Sequence, residues 1–250
     1  MTSLWIWIQP FARIAPWIVL LSAAAVFPLL FFVTAPYGRH FRPGWGPAVS
    51  SRIGWVTMEW PSVVLFALVW IANPEFGTPM VTALGLLWLL HYTQRTFVFS
   101  LLQRSSGRRQ AVLTVALANG FNVLNATTNA AALRDRPFDG AFLVGSVLFL
   151  AGMVLNVHSD QLLRRLREPG ETAYKVPAGG GFRYVSAPNY LGEIVEWIGF
   201  ALAAQTLAAW AFAAFTFANL APRAVANHRW YRERFADYPR QRRALIPFLW

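Results

Sequence analysis

Stretches of about 20 apolar residues recur along the chain, separated by short polar segments that carry most of the arginines. A helix crossing ~30 Å of hydrocarbon needs roughly that many. Seven stretches come close: residues 14–34, 54–72, 79–102, 111–132, 140–160, 190–203 and 205–222, the last two joined by a very short turn. The pattern predicts an all-α, polytopic membrane protein with seven transmembrane helices, forming a single integral membrane domain over residues 1–250. The first span is too long for a signal peptide and too weakly charged before it. No small-residue cleavage site follows, so it is expected to stay.

Composition agrees with this pattern. Of 250 residues, 56% are hydrophobic and only 13% charged, where a soluble domain carries about 25% charged residues. The 12 Trp and 20 Phe supply aromatic mass of the kind that sits at bilayer interfaces. With no cysteine, thiolate catalysis, Cys-ligated zinc, iron–sulfur clusters and disulfides are excluded. The four histidines, His40, His91, His158 and His228, are too scattered for a metal-binding pair, so no metal is expected. Nor is a nucleic-acid partner, because basic residues interleaved with apolar spans cannot form one continuous groove-binding face. Lys175 is the only lysine among 22 basic residues, a skew that points to a GC-rich bacterial genome.

The net charge of +11 acquires a direction once the spans are placed. With seven spans, one side receives Arg39, Arg42 and Arg52; Arg104, Arg108 and Arg109; Arg164, Arg165, Arg167, Lys175 and Arg183; and Arg223, Arg229, Arg232, Arg234, Arg240, Arg242 and Arg243. The other side receives Arg13, Arg134 and Arg136, and Arg95 lies within a span. The positive-inside rule then puts the N-terminus outside and the C-terminus in the cytoplasm.

Ionisable residues inside a span are costly and tend to mark functional pathways. At about 100° per residue, Trp88, His91, Tyr92, Arg95 and Phe99 share one face of the third span. Asn156, Asp160, Arg164 and Arg167 share a face of the fifth and its cytoplasmic extension, and Asn189, Glu193, Glu196 and Trp197 a face of the sixth. Glu59 stands near the start of the second span, before Trp60-Pro61. Taken singly these admit plainer explanations. Asp160 with Arg164 fits a solvated i,i+4 ion pair worth a few tenths of a kcal/mol, His91 a packed histidine, and Glu193 and Glu196 the membrane surface. Three polar faces on three apolar helices together predict a functional cavity.

Arg95, Arg164, Arg167 and Arg223, with Asn156 and Asn189, would make a cationic, amide-rich pocket open to the cytoplasm, suited to a phosphorylated cofactor. Further into the bilayer, Tyr92 offers a phenolic proton, and Glu59 in low dielectric is expected to stay protonated. Both could donate to the carbonyl of an apolar enone and make its β-carbon a hydride acceptor. Gly179-Gly180-Gly181 follows no strand and is therefore no dinucleotide fingerprint. It is either a flexible turn or a phosphate or lid element.

The C-terminal half resembles the steroid 5α-reductase family. The stretches are Asn156-Val157-His158-Ser159-Asp160, Leu166-Arg167-Glu168-Pro169-Gly170-Glu171, Tyr174-Lys175-Val176-Pro177 before the glycine run, and Tyr184-Val185-Ser186. They continue with Asn189-Tyr190-Leu191-Gly192-Glu193, Glu196-Trp197-Ile198-Gly199, His228-Arg229-Trp230-Tyr231, Asp237-Tyr238-Pro239 and Ile246-Pro247-Phe248. The N-terminal half is similar to the steroid-reducing branch, type 2 in particular, at Tyr37-Gly38-Arg39-His40, at Glu59 before Pro61-Ser62, and at His91-Tyr92-Thr93-Gln94-Arg95-Thr96-Phe97-Val98.

This resemblance implies a seven-helix membrane enzyme, here of a bacterial type, that uses NADPH to reduce the Δ4 double bond of a 3-oxo steroid. By position, Glu59 and Tyr92 would hold the 3-keto oxygen, with Trp55 and Met58 also lining the substrate site. Tyr37, Arg39, Arg95, Asn156, Asp160, Arg164, Arg167, Tyr174, Asn189, Glu193, Arg223, Asn227 and Tyr231 would line the NADPH site. Residues 1–110 would thus contribute the polarising pair, and 111–250 most of the cofactor site. Two departures stand out: Asn227-His228 replaces consecutive histidines, and Met58 replaces an amide residue beside the glutamate. The protein is expected to be a multi-pass monomer with its cofactor site facing the cytoplasm, in the inner membrane of a bacterium or the endoplasmic reticulum of a eukaryote. Alternative readings are a reductase of polyprenol or enoyl-thioester lipids, an isoprenylcysteine-type methyltransferase, and a transporter. No inverted repeat between the halves supports the last.

Overall fold

A computed structural model describes residues 2–33, 44–102, 109–166 and 173–250. Among the described residues, seven long helical rods occupy the positions of the seven apolar stretches. They are α1 (Thr2–Phe32), α2 (Ser51–Ala72), α3 (Pro79–Thr93), which runs on into the short α4 (Ser100–Leu102), α5 (Val112–Ala132), α6 (Gly140–Arg165), α7 (Pro188–Ala204) and α8 (Leu207–Arg234). The third rod does not keep the α period to its end: between α3 and α4 it passes through a π-helical turn, Gln94–Phe99.

By length and composition three of these helices can cross a membrane, within Trp5–Phe32, Ser51–Ala72 and Gly140–Arg165. Outward-facing Trp7, Ile14, Leu21, Leu68, Leu143 and Val154 are exposed, as lipid-facing residues are.

Two ends lie far beyond the expected bounds. α1 starts at Thr2 rather than residue 14 because Trp5, Ile6, Trp7 and Ile8 extend the apolar run, and Pro10 frees only the carbonyl of Ile6. α8 passes through Pro222, which frees only the carbonyl of Ala218, and continues to Arg234. An all-α expectation also leaves out a small antiparallel ladder. β1 (Ala48–Ser50) pairs with β2 (Arg109–Ala111), Ala48 opposite Ala111, and so sets the starts of α2 and α5 side by side. The turn between α7 and α8 is Gln205, in the left-handed region at φ 53°, followed by Thr206, whose hydroxyl caps α8 by accepting from Ala209 N.

α6 and α7 lie in direct backbone contact. A Cβ on Gly152 would fall 2.4 Å from Glu196 N and 2.5 Å from Gly192 O, and one on Gly199 2.4 Å from Phe149 N. Gly145 and Gly192 are equally closed by opposing backbone. Small residues at such crossings let helix backbones approach without a side chain between them. Beside this pair, α3 and α8 bring an aromatic core: Phe66 stacks on Trp88 at 4.6 Å, and Trp197 meets Trp88 at 5.2 Å and Phe212 at 4.4 Å.

α2 and α5 are joined by amides. Pro61 has no N–H to offer the Thr57 carbonyl one turn back, and Asn119 Nδ2 of α5 donates to that oxygen at 2.6 Å. At the far end of α2, Asn73 Nδ2 donates to Ala130 O and Leu133 O at 3.3 and 3.1 Å. Replacing Asn119 by Leu is expected to cost about 1–3 kcal/mol by leaving the Thr57 carbonyl unpaired. The thermal midpoint of the detergent-solubilised variant measures this.

Candidate active site

The three polar faces converge, and what they build is richer in acids than their sequence suggests. Arg95, at the start of the π turn, donates from one guanidinium nitrogen to Asp160 Oδ2 of α6 at 2.9 Å. Its other terminal nitrogen lies 3.4 Å from Glu193 Oε2 of α7. Asn189 Nδ2 donates to Asp160 Oδ1 at 3.0 Å, and Asn156 Nδ2 to Glu193 Oε2 and Asn189 O at 3.2 and 2.9 Å. Asp160 therefore pairs across the bundle with Arg95. The close α6–α7 contact is what lets short Asn and Asp side chains span the gap.

His91 and Glu196 form a second buried pair, Nδ1 to Oε1 at 2.8 Å, with Glu196 fully buried. Glu196 Oε2 has no hydrogen-bond partner among the described residues. The imidazole also sits edge-on to the rings of Tyr92 and Trp197, at 4.9 and 4.7 Å. A buried charge without its partner is costly, so this pair ties the third rod to α7 beside Tyr92.

Glu59 and Tyr92 are brought into this neighbourhood from two different helices. Glu59 is within electrostatic range of Tyr92, Arg95, Glu193 and His91. Tyr92 is buried against Trp88 and Trp197 at 4.9 and 5.6 Å. Trp55 lies one turn before Glu59 and takes the Arg95 guanidinium over its ring at 5.0 Å, and the adjoining Phe99 ring, 5.2 Å from Trp55, takes it at 4.5 Å. The Trp55 indole N–H is buried without a partner among the described residues. Met58 is buried, and its carbonyl accepts from Asn122 Nδ2 at 2.7 Å, a nitrogen that also reaches Glu59 Oε2 at 3.2 Å.

The other expected cofactor residues lie further along the helices. Arg164 is half-buried on α6, one turn past Asp160. Arg223, Asn227 and Tyr231 follow at four-residue intervals on α8, where Tyr231 stacks on Tyr238 at 5.4 Å. Tyr174 packs edge-on against Trp230 at 5.0 Å. Tyr37, Arg39 and Arg167 lie outside the described residues. Gly179 and Gly180, at φ 84° and 48°, open an ordered 3-10 turn against His158. Of the cationic pocket expected from sequence, Arg95, Asn156 and Asn189 already donate to carboxylates.

Asn122 was not among the expected site residues, and His91 and Glu196 were read only as members of polar faces, without a role. The signal for Asn122 was present, because Asn119, Asn122, Asn125 and Asn129 fall within about a third of a turn on α5. That face lies against α2.

Past the apolar part of α8, Ser186 Oγ contacts His228 Nδ1 at 2.6 Å and Tyr238 Oη at 2.7 Å, and donates to Arg243 O at 3.1 Å. The cluster latches the C-terminal segment to α8. Burial first, then the charges of Arg232 and Arg243, lower the His228 pKa below its usual 6.5. The unfolded chain therefore binds the proton more readily. The contribution to stability is present above about pH 6.5 and is lost as pH falls towards the folded value. The thermal midpoint is expected to drop on acidification below about pH 6.5, and less steeply in His228→Gln, as a pH series of melting curves on the two proteins reads directly.

Residues 108–250 match the family profile described as 3-oxo-5-alpha-steroid 4-dehydrogenase. The chain is 42% identical over 235 residues to 3-oxo-5-alpha-steroid 4-dehydrogenase 1 of Bos taurus, covering 88% of this chain and 90% of that protein. It is 41% identical over 232 residues to 3-oxo-5-alpha-steroid 4-dehydrogenase 2 of Mus musculus, with 88% and 90% covered. It is 40% identical over 236 residues to a steroid 5-alpha-reductase of Arabidopsis thaliana, with 89% and 90% covered. The likeness extends to both numbered mammalian types and to plants.

Proposed function

The chain belongs to the 3-oxo-5-alpha-steroid 4-dehydrogenase (steroid 5α-reductase) family of oxidoreductases, and from that premise we propose that it is a multi-pass membrane enzyme reducing the Δ4 double bond of a 3-oxo steroid with NADPH. Glu59 and Tyr92 hold the 3-keto oxygen. The observation that carries this reading is that buried Tyr92 and half-buried Glu59 come from separate helices into one electrostatic neighbourhood, beside an acid- and amide-rich cluster.

The donor set fits the cofactor in two parts. Glu59, Asp160, Glu193 and Glu196 outnumber Arg95 and His91, which suits a nicotinamide whose oxidised ring is cationic. Buried Glu196 Oε2, which has no partner among the described residues, is a spare acceptor in that cluster. Arg164 and Arg223 are assigned to the phosphates, which suit guanidinium groups, together with Asn227, Tyr174 and Tyr231. NADPH, when bound, supplies the hydride.

The chain's own residues prepare the acceptor. Hydrogen bonds from protonated Glu59 and from the Tyr92 hydroxyl draw electron density onto the keto oxygen and leave the β-carbon electrophilic. As a C–H bond forms at that carbon, the π pair moves onto the oxygen they hold. The pair then returns from the oxygen to re-form the ketone as the α-carbon takes a proton from water, so that a hydride and a proton add across the double bond. Trp88 and Trp197, packed on its ring, keep water from Tyr92, which strengthens its hydrogen bond to the substrate.

In the proposed topology the N-terminus is outside, and Arg164, Arg223 and the C-terminal latch face the cytoplasm, where NADPH is found. The protein is taken to act as a monomer. Purified protein incubated with NADPH and a panel of Δ4-3-oxo steroids, polyprenols and enoyl thioesters tests the reading. The expected product is a steroid heavier by two hydrogens, identified by mass. NADPH consumption by none of the steroids overturns the proposal, and turnover of a thioester or polyprenol alone favours the lipid-reductase alternative.

A further inference from the structure

We infer that Asn122 is a positioning residue that decides which oxygen of Glu59 faces the substrate. The inference rests on the keto-polarising role proposed for Glu59. Asn122 Nδ2 lies 2.7 Å from Met58 O and 3.2 Å from Glu59 Oε2. A main-chain carbonyl only accepts, so the atom facing it must be the amide nitrogen. With two hydrogens, that nitrogen serves the carbonyl with one and Glu59 with the other. Turning the amide over would set Asn122 Oδ1 against the Met58 carbonyl, which can only accept, so the backbone contact locks it.

A consequence follows for Glu59. Its Oε2 receives a hydrogen bond and therefore acts as the carbonyl-type oxygen. The proton of the neutral acid resides on Oε1, the oxygen left to donate to the keto group. Without Asn122 the carboxyl could rotate and donate its proton to an α2 or α5 acceptor. The rest of the frame is rigid: Asn119 restores the partner that Pro61 denies to Thr57 O, and Trp88 Nε1 donates to Ser62 O at 2.8 Å. The α2 backbone around Glu59 is thereby fixed on both sides, while the carboxyl itself depends on Asn122.

The test is a double-mutant cycle with Asn122→Leu and Glu59→Ala, measuring steady-state reduction of a Δ4-3-oxo steroid, NADPH affinity and thermal midpoint in the purified full-length protein. Asn122→Leu is expected to lower kcat roughly 10- to 100-fold, as misplacing a reacting group does. NADPH affinity should stay within about twofold of wild type. On the Glu59→Ala background the same change should cost nothing further, because there is no carboxyl left to orient. If the Leu variant fails to fold, Asn122→Ser, smaller and polar but too short to reach Glu59, replaces it in the cycle. Wild-type kcat in the Asn122 variant beside a crippled Glu59→Ala overturns the inference and leaves the Glu59 role standing. A loss that multiplies fully onto Glu59→Ala overturns it too, since it would act independently of the carboxyl. Wild-type turnover by Glu59→Ala overturns both.

Discussion

Tyr92→Phe is expected to lower turnover by about 10²- to 10³-fold, the usual loss when one donor to a developing oxyanion is removed. NADPH affinity and thermal stability should change little. The ring keeps its contacts with Trp88, His91 and Trp197, so only the hydroxyl leaves. Glu59→Ala should cost a similar factor. Glu59→Gln should cost less, because Asn122 would still donate to the carbonyl oxygen of the substituted side chain and turn its N–H₂ towards the substrate, a weaker donor than a carboxylic acid but a donor. The ordering of the glutamine variant above the alanine variant is thus a finer test than either alone. Steady-state kcat with a Δ4-3-oxo steroid, paired with NADPH titration by fluorescence, measures it. Full turnover in the Tyr92→Phe, Glu59→Gln double variant would remove both residues from the chemistry.

A second large effect is expected far from any reacting atom. Gly152→Ala adds one carbon where α6 meets α7, 2.4 Å from Glu196 N and 2.5 Å from Gly192 O. Neither neighbour is a side chain that could turn aside. Overpacking typically costs about 1–3 kcal/mol and occasionally more, and here the relief is separation of two helices. That separation would break the bonds of Asn156 to Asn189 and Glu193, and of Asn189 to Asp160. Loss of NADPH binding is therefore expected together with a lowered thermal midpoint. Gly120→Ala on α5, where a Cβ meets nothing within 4 Å, is the control: it should be neutral or slightly stabilising, as Ala is the better helix former. Equal behaviour of the two variants in thermal melts would refute the backbone-contact explanation.

The relation between sequence and site is uneven for identifiable reasons. The rods were legible because hydrophobic runs of helix length and the 3.6 period are local properties, and the polar faces of α3, α6 and α7 could be read one helix at a time. Burial of Trp88, His91, Tyr92, Arg95, Asn156, Asp160, Glu196 and Trp197 agrees with those faces. Which face meets which is not local. Asp160 could be placed beside Arg164 by spacing, yet it pairs with Arg95, 65 positions away. Asn122 carries no charge and therefore drew no attention on α5, although it holds both Met58 O and Glu59.

By itself, then, the sequence determined the helical rods, their apolar outer surfaces, the kinship to steroid reductases and the residue types available for chemistry. Each follows from patterns within one segment or from motif likeness along the chain. Only the tertiary structure decided the partners: Arg95 between Asp160 and Glu193, His91 with Glu196, and Glu59 under Asn122. Hydrogen bonds and ion pairs act over about 3 Å, and that distance is set by how closely helices pack. Here the packing depends on glycines, which have no side chain and leave no hydrophobic or polar mark in the pattern.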